Sequence, residues 1–249
     1  DNSPFNKVRK IFAPGTTQNW ARGSGHEIKI WDEYNGYSSS ITDENGNITK
    51  TTIDNTGLLR AKTSYIGSNS IVTTYAYDDL RNLAFVAPGN IELPASPNDL
   101  EDYCYQYQYD DKNRLIAKKL PTKQWEFVVY DALNRIIATG PVYNPFGSND
   151  TEMGWLYTRY DQLSRVALTG WFPDSFSNDQ THNSALREDL QNNNNGGVIN
   201  TQKTDTVTTI DGLNVNYTDQ DLPFGFKILT VNYYDTYDFP IAEPISFTS

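Results

Sequence analysis

In residues 103–109 every second position is a tyrosine. A period of two is the signature of a β-strand, because alternate side chains of a strand point to the same face. The pattern therefore predicts a strand with four aromatic side chains on one face: Tyr103, Tyr105, Tyr107 and Tyr109. A second short apolar run, 115–117, follows a few polar residues later, which predicts that the two strands form a β-hairpin.

The turn of this hairpin belongs to a phrase that occurs four times. The phrase is a Tyr-Asp pair, a turn, a basic or amide residue and an aliphatic residue, and it covers 77–83, 109–115, 130–136 and 160–166. Regular repetition of this kind indicates an array of similar structural units. The shortest spacing, 21 residues between Tyr109 and Tyr130, predicts the basic unit, and the longer spacings predict units with insertions.

Each position of the phrase has a physical role. The Asp ends the strand, since its carboxylate can accept hydrogen bonds from backbone N–H groups two residues on. The fifth position requires a left-handed backbone, which Gly or Asn adopts at least cost. It holds Asn113, Asn134 and Ser164, and the exception, Arg81, predicts either a different turn geometry or local strain. The residues predicted to build the repeats are Tyr77, Asp78, Tyr109, Asp110, Arg114, Tyr130, Asp131, Arg135, Tyr160, Asp161 and Arg165.

Degenerate copies extend the array in both directions. Residues 42–48 and 53–59 keep the Asp and place Gly in the turn, but they lack the Tyr. Trp31-Asp32 and Tyr234-Asp235 keep only the aromatic–Asp pair.

With these motifs the chain resembles the YD-repeat, or rearrangement-hotspot (RHS), family, which is related to teneurins and toxin-complex shells and has the consensus Tyr-Asp-x-x-Gly-Arg-Leu. A closer similarity to a Bacteroidota-type branch lies in residues 13–15 with 23–29, in 103–107 with 114–116, and in 155–161. The resemblance covers most of residues 4–172 and returns at 229–235. It implies an all-β repeat array of antiparallel β-hairpins that forms a curved, spiralling shell sheet, and a fragment of a larger shell.

Composition and charge narrow the function. A net charge of −11 and a pI of about 4.6 disfavour binding to nucleic acid and to anionic membranes. A mean hydropathy of −0.62 suits sheets with one face in water, and the sequence has no stretch near the length of a membrane span. Because hairpin arrays expose unpaired edges and neither end resembles a cap, we expect the remainder of a longer polypeptide as a partner.

The pattern divides the chain into three segments. Residues 1–178 form the hairpin array, residues 179–227 an insertion, and residues 228–249 a continuation of the array. Within the insertion, 182–190 has helical character and 191–197 is an Asn-rich loop.

No residue is predicted to be catalytic, to bind a cofactor or to bind a metal. Cys104 is the only cysteine, so it forms no intrachain disulfide, and the strand pattern predicts a buried thiol. His26 and His182 are far apart and lack zinc-ligand spacing. The glycines around Ser24 lack the spacing of a nucleophile elbow, which favours a turn.

Acidic residues at the turns have a structural interpretation too. In Asp78-Asp79 and Asp110-Asp111 the first residue makes the turn and the second faces solvent. The turn after Asp43 has its Gly at the wrong position for a calcium loop. The chain is therefore expected not to be an enzyme.

The function that the resemblance implies is structural. It implies a secreted or cell-surface shell protein for toxin encapsulation or cell-surface contact, exported across an outer membrane, often by the type IX system. The implied partners are the translocon and an enclosed toxin polypeptide, although no toxin domain can be assigned to this chain. An alternative is a carbohydrate-binding adhesin whose exposed aromatic side chains, Trp20, Trp155 or Trp171, stack on sugars.

Overall fold

The computed structural model describes residues 8–12, 27–32, 37–147, 151–194 and 200–235. These residues form sixteen strands and two helices, and they divide into two compact units. Antiparallel hairpins build the main sheet of each unit, so the predicted all-β array of hairpins is confirmed. Trp20, the turn at 23–25, His26 and residues 195–197 of the Asn-rich loop lie outside the described residues.

The first unit comprises residues 1–114 and 119–123. Its elements are β1 (Lys10–Phe12), β2 (Glu27–Asp32), β3 (Ser38–Thr42), β4 (Ile48–Ile53), β5 (Leu59–Ile66), β6 (Asn69–Tyr77), β7 (Leu83–Ala87), α1 (Pro97–Asp102) and β8 (Tyr105–Tyr109). Each strand pairs antiparallel with the next one along the chain. The sheet of this unit is therefore a simple meander.

The helix α1 interrupts the tyrosine alternation. Ser96 caps its N-terminus, where the side chain accepts a hydrogen bond from the Asp99 N–H at 3.1 Å, and Pro97 occupies the first turn. Tyr103 follows the helix as its C-cap, so the prediction that it lies in the strand is wrong. The strand begins at Tyr105 because helix capping uses the backbone of Tyr103, whose N–H donates to the Asp99 carbonyl.

The second unit comprises residues 115–118 and 124–249. Its elements are β9 (Leu115–Lys119, whose last residue belongs to the first unit), β10 (Trp125–Tyr130), β11 (Ile136–Tyr143), β12 (Met153–Tyr160), β13 (Val166–Pro173), α2 (Gln180–Asn193), β14 (Lys203–Ile210), β15 (Leu213–Tyr217) and β16 (Lys227–Val231). The main sheet has the order β9-β10-β11-β12-β13-β16, and β14 pairs only with β15. The segment 179–227 thus contains α2, β14 and β15, and β16 returns to pair with β13.

Here an edge is the side of a sheet at which its strands begin or end. Successive turns lie at opposite edges of each sheet, because every strand of a meander crosses from one edge to the other. In the first unit one edge carries the turns 54–58, 78–82 and 110–114. In the second unit one edge carries the turns 131–135 and 161–165 with residues 232–235. We call this the Tyr-Asp edge of each unit. The turn at Asp43 and the α1 connection lie at the opposite edge of the first unit, and β11 is joined to β12 at the opposite edge of the second unit. The α1 connection and the connection between β11 and β12 account for the two longer repeat spacings.

The second unit has a hydrophobic core on one face of its sheet. Alternate residues of β12 point into it, and Trp155 and Tyr157 are fully buried. The core is covered by β14 and β15, which contribute Ile210, Val215 and Tyr217, and by the partly buried leucines of α2.

Close packing in this core requires glycine at position 170. A Cβ atom there would lie 2.2 Å from Cζ of Phe226 and 2.4 Å from the carbonyl oxygen of Lys227. Both distances are far below van der Waals contact. The chain at Phe226 and Lys227 therefore packs against position 170 only because that residue has no side chain.

The described residues of the first unit form no such core. Its buried described residues are few and scattered: Glu27, Ser38, Ala87, Cys104 and Lys119. The strands are rich in Ser and Thr, whose hydroxyls bond across the sheet, as between Oγ of Ser39 and Oγ1 of Thr51 at 2.8 Å. Neither described helix of the chain is long and apolar enough to cross a membrane.

Candidate functional site: the Tyr-Asp-Arg turns

The Asp of each repeat organises its turn through one carboxylate oxygen. Oδ1 of Asp131 accepts hydrogen bonds from the N–H groups of Leu133 and Arg135, each at 2.9 Å. Asp54, Asp110 and Asp161 accept the same pair of bonds from the residues two and four positions on. The predicted role of the Asp in starting the turn is confirmed.

The fifth position of each phrase has a left-handed backbone, as predicted. The φ angles are 59° at Asn113, 61° at Asn134 and 60° at Ser164. Arg81 has φ 70° and makes the same backbone bonds, with its N–H donating to the Asp78 carbonyl at 3.0 Å. The expectation of a different geometry for this turn is therefore wrong. Arg81 instead has a left-handed backbone conformation, which is energetically costly for a residue with a side chain.

The Arg of the phrase neutralises its own Asp. Nε of Arg114, Arg135 and Arg165 lies 2.8, 2.6 and 2.7 Å from Oδ2 of the Asp four residues earlier. Where this Arg is absent another donor takes its place, as Asn82 does for Asp78 at 3.1 Å. The carboxylate is thus fully used inside the turn, with one oxygen for the backbone and one for a side chain.

In the second unit the Tyr of each repeat contacts the preceding repeat along the edge. The hydroxyl of Tyr160 donates to the Ile136 carbonyl at 2.7 Å, and that of Tyr234 donates to the Val166 carbonyl at 2.9 Å. Tyr130 makes the equivalent bond to Leu115 at 2.8 Å. Each accepting carbonyl belongs to the residue directly after the Arg of the preceding phrase.

The same Tyr ring lies against that Arg. The guanidinium of Arg135 is 4.6 Å from the ring centre of Tyr160, and that of Arg165 is 4.3 Å from the ring centre of Tyr234. Both distances are within the range of cation–π interaction. Asp, Arg and the next Tyr therefore form a continuous ladder, which sequence reasoning missed although it had identified all three residue types. The signal was a Tyr, rather than a Phe, in all four copies.

Further polar contacts tie neighbouring turns together. In the first unit the guanidinium of Arg81 donates to the Thr56 carbonyl at 2.7 Å, and Nδ2 of Asn82 donates to Oδ1 of Asn113 at 3.1 Å. In the second unit Arg165 also pairs with Asp235, at 2.8 Å. The Tyr-Asp edge of each unit is thus a row of linked turns.

Electrostatics at the turns favour the charged forms. Burial raises the pKa of Asp161, but hydrogen bonds from the backbone and side chain of Arg165 outweigh it and hold that pKa below its usual value. Asp110 shows the same balance with Arg114. The pKa of Arg165 is raised, first by its hydrogen bond to Asp235 and then by that to Asp161.

A polar cleft of about 400 Å³ lies at the Tyr-Asp edge of the second unit. The cleft is lined by the ladder residues Asp161, Arg165, Tyr234 and Asp235 and by Lys203. The charged groups of the ladder already satisfy one another, since Arg165 bonds both carboxylates. Among the described residues that line the cleft, the hydroxyl of Thr201 donates to the Thr218 carbonyl at 2.9 Å and is not held by a general base.

The candidates for chemistry, Cys104, His182 and the second Asp of each acidic pair, lie in the protein interior, at a backbone carbonyl or in solvent. Cys104 is buried as predicted, and burial, followed by the charge of Asp99, raises the pKa of its thiol. Nε2 of His182 lies 2.8 Å from the carbonyl oxygen of Ser175. Asp79 and Asp111 are exposed, as expected for the second residue of each acidic pair.

Among the described residues no three His, Cys, Asp or Glu side chains come together in a way that could hold a metal ion. Both carboxylate oxygens of Asp43 accept hydrogen bonds from its own turn, from the N–H groups of Asn45 and Asn47 and the side chain of Asn47. That loop is therefore a turn of the same kind as the others.

Two of the aromatic side chains proposed to stack on sugars are inaccessible. Trp155 is fully buried, with its indole N–H donating to Asp174, and Trp171 is 1% exposed, with its indole N–H donating to the Val142 carbonyl. The idea that they form a sugar platform is wrong, because both belong to densely packed parts of the second unit. Trp20 lies outside the described residues.

Comparison with solved structures shows a shared fold. The crystal structure of TcdB2-TccC3 superimposes with a TM-score of 0.50 at 12% identity, over 88% of this chain and 12% of that one. The structure of TcdB2-TccC3 without its hypervariable C-terminal region gives 0.50 and 12% over 92% of this chain and 11% of that one. The chain therefore has an RHS-like β fold and spans about a ninth to an eighth of those proteins. No family model and no curated protein matches it.

Proposed function

We propose that this chain is a non-enzymatic structural segment of a YD-repeat (RHS) shell protein of the Bacteroidota-type branch. The observation that carries the proposal is the ladder of Asp, Arg and Tyr along the Tyr-Asp edge. Its charged and polar groups bond to other members of the array, as in Arg135, which contacts Asp131, Tyr160 and Ser164. Groups used in this way extend a sheet and are not available for catalysis.

The polar sheet of the first unit supports the same role. Its strands are rich in serine, threonine and lysine, although several large apolar side chains, among them Trp31, Ile41 and Ile48, are exposed. The backbone groups of these strands are paired along the meander, so a polypeptide next to the sheet would find few unpaired backbone groups. We expect a wall of this kind to enclose a chain without pairing with it as a further strand.

The cargo and the destination follow from the resemblance. TcdB2-TccC3 is a Tc toxin with an RHS-repeat shell. By analogy the parent of this chain encloses a toxin polypeptide or contacts another cell, and it is exported across the outer membrane by a translocon, for which we propose the type IX system. The remainder of the parent polypeptide would complete the shell.

Electron microscopy of the purified parent tests the shell directly. We expect hollow particles, and we expect protease to degrade a polypeptide inside them only after the shell is opened by denaturant. Particles without an internal space would contradict the proposal. Arg135→Ala with Arg165→Ala, compared with the exposed control Lys112→Ala, should make the particles leak.

Export is tested separately by fractionating cells that express the parent. We expect the parent at the cell surface or in the medium, and we expect it to accumulate inside cells when the translocon is deleted. A parent found only in the cytoplasm would overturn the export proposal and leave the shell proposal standing.

A further inference from the structure

The first unit contains a groove that the repeat architecture does not require. It has a volume of about 510 Å³ and lies at the edge opposite the Tyr-Asp edge, where the α1 connection joins β7 to β8. The lining residues come from three short segments around Gly89, α1 and Pro121. Its size is within the range of about 300–1,000 Å³ that is typical of ligand pockets in proteins.

The surface of the groove combines aromatic and apolar groups. Tyr103 is 55% exposed and Tyr105 is 37% exposed, so that both contribute accessible ring area. Pro88, Ile91 and Pro121 supply the apolar part. Exposed aromatic rings beside rigid prolines are a common surface for binding polypeptides, since little side-chain entropy is lost on contact.

Two carboxylates at the groove have no cation beside them. Asp99 accepts a hydrogen bond from the Ser96 hydroxyl at 2.6 Å, and Asp102 is exposed at the end of α1. Within the described residues neither forms an ion pair. Lys119, a buried cation of the first unit, pairs with Glu101 instead. Its Nζ lies 3.1 Å from the Glu101 carboxylate and 3.0 Å from the Glu101 carbonyl oxygen.

The arrangement therefore complements a positive charge on an apolar stem. Tyrosine faces attract cations through the ring quadrupole, and unpaired carboxylates add an electrostatic attraction that a neutral ligand would not experience. The net charge of −11 raises the local concentration of basic polypeptides further. A free ammonium ion would use the charge but leave the proline and isoleucine surface uncovered.

We propose that this groove binds a lysine or arginine side chain presented by an extended segment of a partner polypeptide. The aliphatic stem lies on Ile91 and the prolines, the cationic group lies between the tyrosine rings and the carboxylates, and the flanking backbone runs along the groove. The proposal goes beyond the shell role and does not depend on it, since a groove of this kind would work on any β scaffold.

The test measures binding of a labelled peptide of alternating alanine and lysine, acetylated and amidated at its ends, to the full chain by fluorescence anisotropy. We expect Tyr103→Ala, and separately Asp99→Asn with Asp102→Asn, to weaken binding by about tenfold. Acetylating every lysine of the peptide should abolish binding, and raising the salt concentration should weaken binding.

Matched controls separate the groove from general charge and exposure. Tyr143 is also 55% exposed and lies in the second unit, so Tyr143→Ala removes an equal aromatic surface elsewhere. Asp79→Asn with Asp111→Asn changes the net charge by the same amount at exposed turns. Both controls should bind the peptide within about twofold of the unchanged chain.

If Asp79→Asn with Asp111→Asn weakened peptide binding as much as Asp99→Asn with Asp102→Asn, the proposal would be overturned. Attraction of the peptide would then depend only on the net charge of the protein. Binding of lysine amide as tight as that of the peptide would also overturn it, since the partner would then be a small amine. Circular dichroism of each variant confirms that a loss of binding does not reflect unfolding. None of these outcomes depends on whether the parent forms hollow particles.

Discussion

The two units share the same turns but differ in what covers their sheets. The turn at Asp110 in the first unit and the turn at Asp131 in the second have the same hydrogen bonds and the same Asp–Arg pair. Yet Asp131 is buried in the second unit, where α2, β14 and β15 cover one face, while few of the described residues of the first unit are buried.

The difference separates two sources of stability in a repeat array. Turn and ladder contacts are local, are repeated in each unit and do not need a core. Burial of apolar surface is supplied only where the chain adds elements between repeats, as it does between β13 and β16. The described part of the first unit therefore resembles a repeat array held by the hydrogen bonds of its strands and turns, and the second unit resembles a domain with its own core.

The largest expected effect comes from removing a buried aromatic side chain of the second unit. Trp155→Ala should lower the free energy of unfolding by about 3–5 kcal/mol, because it leaves a large cavity and an unpaired Asp174. The measurement is chemical denaturation, with hydrogen exchange in β12 as a local probe. Trp31→Ala in the first unit, where the ring is 57% exposed, should change stability by less than about 1 kcal/mol. Similar losses for the two variants would contradict the division into a covered and an uncovered sheet.

The next effect concerns the same turn residue in its two environments. Asp131→Ala should destabilise the second unit by about 3–5 kcal/mol, because it leaves the Arg135 guanidinium and two N–H groups without their acceptor in a buried position. Asp78→Ala, at an exposed turn of the first unit, should cost about 1 kcal/mol. Equal costs would show that burial of the turn contributes nothing.

Alkaline pH should also distinguish the units. Burial, followed by nearby charged groups such as Tyr233, raises the pKa of Tyr217 to about 12, and burial also raises the pKa values of Tyr157 and Tyr160. The fold thus favours the neutral phenols. The contribution of Tyr217 is complete below the unfolded pKa of about 10 and is lost as the pH rises to about 12. In the first unit burial raises the pKa of Tyr109.

We expect hydrogen exchange of β15 and β16 to accelerate with rising pH, beyond the intrinsic base catalysis, more than that of β4 and β5. Tyr217→Phe should shift the alkaline unfolding midpoint of the second unit upward, because phenylalanine does not ionise. An unchanged midpoint in this variant would mean that Tyr217 is not the group that limits stability in base.

The contrast between the units also explains what the sequence could predict. The Tyr-Asp phrase predicts its turn because the bonds of Asp and Arg lie within four residues, so sequence spacing determines them. The alternation in 103–109 was a poorer guide, since helix capping took Tyr103 out of the strand. The exposed acidic residues follow from turn position alone, whereas Cys104 is buried as predicted although it lies before the first residue of β8.

The ladder and the core required the structure. Tyr234 bonds a carbonyl 68 positions earlier, and no local pattern encodes which repeats become neighbours after an insertion. Whether Trp155 and Trp171 are buried depends on the elements that cover β12 and β13, and the sequence of 179–227 shows only a weak helical pattern. Fold class could therefore be predicted from local chemistry, whereas burial could not.

Substitution of the left-handed turn residues should show where the units agree. Asn113→Gly and Asn134→Gly should be neutral or slightly stabilising, whereas valine at either position should cost about 1–2 kcal/mol, because a β-branched side chain is strained at φ near 60°. Thermal melts measure both effects. The backbone strain is local, so it should be the same in the two units. Asn113→Val also removes the acceptor of the Asn82 side chain in an exposed position, and a difference larger than about 1 kcal/mol, the usual contribution of one hydrogen bond, would show that the core amplifies the strain.

The smallest effect tests a single bond of the ladder. Tyr160→Phe keeps the ring against Arg135 and removes only the hydroxyl bond to the Ile136 carbonyl, so it should cost about 1 kcal/mol in chemical denaturation. Tyr77 is the matched control in the first unit: its ring lies 5.3 Å from the Arg60 guanidinium, and within the described residues its hydroxyl makes no hydrogen bond. Tyr77→Phe should therefore change stability by less than about 0.5 kcal/mol. If both phenylalanine variants were neutral, the ring and not the hydroxyl would be what links one repeat to the next, and the repeated choice of tyrosine would need another cause.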